Sequence, residues 1–79
     1  MDEPERHKLE AEAIRLKSVA DARVKDFLET MQEFKENRTN ATSYRLMTEA
    51  GRMQVAYFEY TPVLEELLKF YRKFFLEHQ

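Results

Sequence analysis

Seventy-nine residues with a formal net charge of −2, one glycine, two prolines and no cysteine exclude several classes at once. A chain this short hides only about 60–65% of its unfolded surface, so a solitary core is marginal and small chains commonly add disulfides, a metal or a partner. The lack of cysteine removes disulfides and thiolate zinc sites, and the slight acidity gives no global field that favours nucleic acid or acidic membranes. What remains is one small domain, rich in helix formers, for which oligomerisation is the expected remedy.

The start, Met1-Asp2-Glu3-Pro4-Glu5, has the chemistry of a helix N-terminus. Asp2 or Glu3 suits the cap, Pro4 the first turn, and acids there complement the helix dipole. From Leu9 the apolar positions Leu9, Ala13, Leu16, Ala20, Val24, Phe27, Met31 and Phe34 step by threes and fours, which predicts a helix over 3–37. Ile14 and Leu28 widen one flank. Small residues at Ala13 and Ala20 predict close approach of a neighbour there, and Phe27 and Phe34 a wider spacing. Pairs such as Arg6–Glu10, Lys8–Glu12 and Lys17–Asp21 mark an ordinary solvated face.

Residues 37–43, Asn-Arg-Thr-Asn-Ala-Thr-Ser, form the one cluster of turn and cap residues. Asn37 is suited to end the first helix in a left-handed conformation, and Asn40 or Thr42 to cap the next. The two Asn-x-Thr matches here are read as turn chemistry, not glycan acceptors, because no secretory signal precedes them. A turn over 38–42 makes the flanking helices antiparallel neighbours.

The second arm is expected as a helix over 43–60 followed by one over 62–77. Thr61-Pro62 predicts either a kink or a break, hence two long helices or three. Leu46, Met53, Tyr60, Leu67 and Phe74 recur every seven residues, and the phase passes through Pro62 without a slip. Beside them runs a second series, Met47, Ala50, Gln54, Tyr57, Thr61, Leu64, Leu68, Tyr71 and Phe75. Gly51 inside this arm predicts close approach of another backbone.

Together these features predict an all-α antiparallel helical hairpin that assembles as a four-helix bundle, a dimer being favoured. Eight of the ten aromatics lie between Tyr44 and Phe75, and the expected partner-binding residues are Tyr57, Tyr60, Leu64, Leu67, Phe70, Tyr71, Phe74 and Phe75. Leu64, Leu67, Leu68, Tyr71, Phe74 and Phe75 are assigned to one face, with Val63 and Phe70 pointing away from it. Gln54 and Thr61 are expected to set register, as polar residues in an apolar seam do. His7 and His78 sit at opposite ends of the chain, and no Glu-x-x-His pair occurs, so neither metal nor cofactor is expected. The densest apolar run, 63–76, is too short and too charged to span a bilayer, and a cytoplasmic location is expected.

The function these patterns point to is a non-enzymatic protein-interaction module of the adaptor, co-chaperone, immunity or inhibitor type, acting through the aromatic face of its C-terminal helix. One alternative is a small dimeric regulator contacting nucleic acid through Arg38, Arg45 and Arg52, which would show a steep salt dependence of binding. A long helix followed by two shorter ones is similar in outline to the all-helical chorismate mutases, a resemblance that implies a small helical enzyme with basic residues inside its bundle. The inward positions here are apolar or small instead. The size and hairpin plan also resemble type III secretion co-chaperones, which hold other proteins.

Overall fold

The computed structural model describes residues 3–78. Two helices, α1 (Glu3–Glu36) and α2 (Asn40–Glu77), account for nearly all of them and form an antiparallel hairpin. At about 1.5 Å per residue the 38 residues of α2 match the molecule's longest dimension of 56 Å; the others are 22 and 14 Å. The molecule is therefore a rod two helices wide and one helix thick. Its radius of gyration, 17.6 Å, compares with about 12 Å for a compact domain of this length.

α1 begins with Glu3 and Glu5 in its first turn, where their charge complements the orphan N–H groups; Asp2 lies outside the described residues. α1 ends one residue earlier than expected, with the Asn37 N–H donating to the Glu33 carbonyl at 2.9 Å. Asn37 does not close the helix in a left-handed conformation, because no residue here has positive φ. The cap of α2 is neither Asn40 nor Thr42 but Thr39, extended at φ −124° and ψ 169°. Its Oγ1 accepts from the Thr42 N–H at 3.1 Å, and the Thr39 N–H donates to Thr42 Oγ1 at 2.9 Å. Thr42 then donates through the same hydroxyl to the Asn37 carbonyl at 2.6 Å. A threonine so takes the place usually held by Glu or Gln in a capping box. Being shorter, it also reaches back to the end of α1 and is itself buried.

The expected division of the second arm into 43–60 and 62–77 does not occur, since α2 runs unbroken across Pro62. Pro62 leaves the Phe58 carbonyl without its helical donor. Both residues are exposed, so water meets that acceptor, and the sevenfold apolar row holds the two halves on one seam. With two helices instead of three, the outline shared with the chorismate mutases is absent.

The seam itself follows the sevenfold row. On α2, Leu46, Met53, Ala56, Tyr60, Val63, Leu67 and Phe70 are buried or half-buried; on α1 the same holds for Leu9, Ala13, Leu16, Ala20, Val24, Phe27, Met31 and Phe34. Ala20 is wholly inaccessible and Ala56 nearly so, as small residues are where two helices approach closely. Only four apolar side chains among the described residues are buried, namely Leu16, Ala20, Ala56 and Leu67. That is a thin core for so long a molecule.

Candidate interaction face

Two exposed contacts near the ends of the rod mark the antiparallel register. Arg45 forms an ion pair with Glu33 near the turn, and Tyr71 Oη donates to Glu10 Oε2 at 2.6 Å near the open end. The bond to Glu10, then partial burial and the nearby carboxylate charge, push the Tyr71 phenol above its ordinary range. Lys17 is likewise pushed up, first by its bonds to Asp21 at 2.9 and 3.0 Å and more weakly by Tyr60 and Tyr57 across the hairpin. Glu10, Lys17 and Asp21 therefore edge α1 on the side where Tyr57 and Tyr71 edge α2.

On that side α2 keeps an apolar stripe in the open. Met47, Ala50, Gln54, Tyr57, Thr61, Leu64, Leu68, Tyr71 and Phe75 follow one another at three- and four-residue steps, about a quarter-turn from the seam. Tyr57 is 40% exposed, Leu64 37%, Leu68 38%, Tyr71 44% and Phe75 62%. The opposite flank of α2 carries Thr48, Arg52, Glu59, Glu66 and Lys73, with the exposed Val55 as its apolar exception. The helix is thus apolar on two adjacent faces and polar on a third. One antiparallel neighbour covers only the first.

The eight residues expected to bind a partner divide accordingly. Leu67 is buried, and Tyr60 and Phe70 are half-buried in the seam. Tyr57, Leu64, Tyr71, Phe74 and Phe75 stay exposed. The assignment of Val63 and Phe70 to a direction away from the apolar face is corrected: they step with Leu67 along the hairpin seam. Leu64, Leu68, Tyr71 and Phe75, grouped with Leu67 in the sequence reading, face the next sector. Phe74 continues the seam row beside the first turns of α1, where it lines a cleft with Glu3 and Arg6, stays 60% exposed and stacks against His78 with ring centroids 4.0 Å apart. Gln54 and Thr61 are exposed on the outer stripe and line a shallow hollow with Tyr57, Phe58 and Pro62. Within the hairpin the polar seam residues are Thr42 and the half-buried Glu49, whose Oε2 lacks a hydrogen-bond partner. Sequence reasoning did not single out Phe58, 79% exposed; with Met47, the 70% exposed first member of the outer stripe, it continues apolar surface around α2.

Gly51 does not mark a backbone contact within the hairpin, because a Cβ there meets nothing within 4 Å. The three arginines of the nucleic-acid alternative are each engaged internally: Arg38 over the Phe34 ring at 5.8 Å, Arg45 with Glu33, and Arg52 with Glu49 at 3.0 Å. A cleft at the open end is lined by Glu3, Arg6, Phe70, Tyr71, Lys73, Phe74 and Glu77, but its charges pair off as Arg6–Glu3 and Lys73–Glu77. His7 approaches Glu3, and His78 the Phe74 carbonyl. Among the described residues no three His, Cys, Asp or Glu side chains are grouped to hold a metal ion, and no helix is long and apolar enough to cross a membrane.

Comparison with known proteins adds nothing to this geometry: no family model, no curated protein and no solved structure matches the chain.

Proposed function

We propose that this chain is a non-enzymatic, cytoplasmic protein-interaction module, of the adaptor, co-chaperone, immunity or inhibitor type. Its working surface is the outer stripe of α2, covered in the cell by another protein chain so that the hairpin becomes half of a four-helix assembly. The observation that carries this reading is surface area. The hairpin exposes 6207 Å², whereas a compact monomer of its 9.6 kDa exposes about 5,100 Å². The excess, roughly 1,100 Å², is of the order one partner buries in a stable interface, about 800 Å². The outer stripe exposes aromatic and leucine side chains together, the composition that dominates interface energetics. A bend at Pro62, on the exposed side of α2, would adjust the curvature of that stripe without breaking it.

A test uses tagged wild-type chain and a Leu64→Glu/Leu68→Glu variant, both exposed residues in the hairpin. In an extract from cells co-producing an untagged copy, the wild type should retain a protein at near one-to-one ratio, whether that copy or another chain. The variant, still helical, should retain neither. Equal retention by both, or by neither, contradicts the reading.

A further inference from the structure

We infer that the chain covering the outer stripe is a second copy of this one, its α2 laid antiparallel on α2 about a two-fold axis near Thr61. This rests on the stripe being an association face, and adds who occupies it and in which direction. Three features of the stripe carry the inference.

The first is a gradient of size. Along the stripe the turn-proximal half reads Met47, Ala50, Gln54, Tyr57 and the distal half Leu64, Leu68, Tyr71, Phe75, with Thr61 in the middle. Side by side in the same direction, two such helices would set the largest side chains against each other at one end and Ala50 against the partner's Ala50 at the other. The layers would then differ widely in volume and the helices diverge. Reversed about Thr61, each aromatic of the stripe meets a smaller residue: Phe75 lies over the partner's Met47, Tyr71 over the partner's Ala50 and Tyr57 over the partner's Leu64, with Leu68 over the partner's Gln54. Layer volumes even out, as close packing requires. A surface complementary to itself on reversal is what a two-fold interface needs.

The second feature is charge. No ionised side chain interrupts the nine-residue stripe, so self-pairing sets no like charges opposite one another. Its two polar members are Gln54 and Thr61. Reversal brings Thr61 beside the partner's Thr61 near the axis, where their hydroxyls can bond and fix the register.

The third feature is the neighbouring edge of α1. Apart from Ile14 and Leu28 it presents charge, with Glu10, Lys17, Asp21 and Lys25. Such an edge makes a rim and not a core. The contact must therefore run α2 on α2, with the α1 helices outside, in preference to α2 seated on the partner's α1.

The chain has no cysteine, so introduced ones report geometry directly. Ala50→Cys, Thr61→Cys and Arg72→Cys are placed singly in tagged and untagged chains and treated with a short bis-maleimide. In the antiparallel pair, two copies of position 50 stand about 33 Å apart along the axis and cannot be bridged, while position 50 lies opposite the partner's position 72. Mixing Ala50→Cys with Arg72→Cys should give a linked heterodimer, each alone should give none, and Thr61→Cys should link to itself. Self-linking of Ala50→Cys and Arg72→Cys without a mixed product overturns the antiparallel direction. No linkage at any position, with single-chain mass in solution, overturns the second copy as occupant. In that case the broader reading survives if the wild type, and not Leu64→Glu/Leu68→Glu, still retains a different chain from extract, and otherwise falls with it.

Discussion

Two faces of α2 are built from the same residue types and meet different fates. The seam, running through Met53, Tyr60, Leu67 and Phe70, is closed by α1. The outer stripe, through Tyr57, Leu64, Leu68 and Phe75, is left in the open. Residues 67 and 68 are adjacent leucines, yet one is 4% exposed and the other 38%. Hydrophobicity alone does not distinguish them, and only phase relative to the single neighbour does. A two-helix hairpin has one seam to offer each helix. When a helix carries two apolar faces at right angles, the second states a need that the hairpin cannot meet.

The comparison breaks most readily at Leu67. Leu67→Ala should cost about 2–5 kcal/mol in chemical denaturation, whereas Leu68→Ala should cost the dilute, dissociated hairpin well under half as much. Equal costs would mean that the two faces are not differently covered. Next in size are the caps. Thr39→Ala should lose about 1–2 kcal/mol, and Thr42→Ala a similar amount through its bond to Asn37 and its burial, with neither substitution touching the outer stripe. Assembly that fails in these variants beyond what lost stability explains would argue that the turn end, not the stripe, holds the partner.

Gly51→Ala sharpens the comparison in the opposite direction. With nothing near the added methyl, helix propensity alone should raise the stability of the dissociated hairpin by up to about 1 kcal/mol. A gain in the dissociated hairpin together with weakened assembly would show that another chain approaches Gly51 closely.

The smallest effect concerns pH. The Tyr71 phenol is held above its ordinary value when folded, so its bond to Glu10 stabilises fully below the unfolded tyrosine pKa, about 10, and is lost as pH rises through the folded value. Tyr71→Phe should thus melt slightly below the wild type near neutrality and converge with it in strong alkali. A difference that persists unchanged there would place the cause in packing and not in the hydrogen bond.

Much of the hairpin was legible in the sequence because repeating phase is a local signal. The α1 positions from Leu9 to Phe34 and the sevenfold row of α2 are read from spacing, and the turn near residue 38 from its cluster of Asn, Thr and Ser. Pro62 was harder. A proline always removes one backbone bond, but whether the helix breaks depends on what holds its two halves in line, and that is the long seam against α1. Phe70 was misplaced for a related reason: two stripes a quarter-turn apart share an edge, and which residue belongs to which is decided by where the neighbour sits. The cap on Thr39 escaped notice because a Thr-x-x-Thr box lacks the usual Glu or Gln. Gly51 predicted a close contact that the single hairpin does not contain.

The most direct measurement is light scattering at micromolar concentration on the wild type and on Leu64→Glu/Leu68→Glu. The account predicts twice the 9.6 kDa chain mass for the wild type, and the single-chain mass with helical content retained for the variant. A wild type that stays a folded single chain would contradict self-association through the outer stripe.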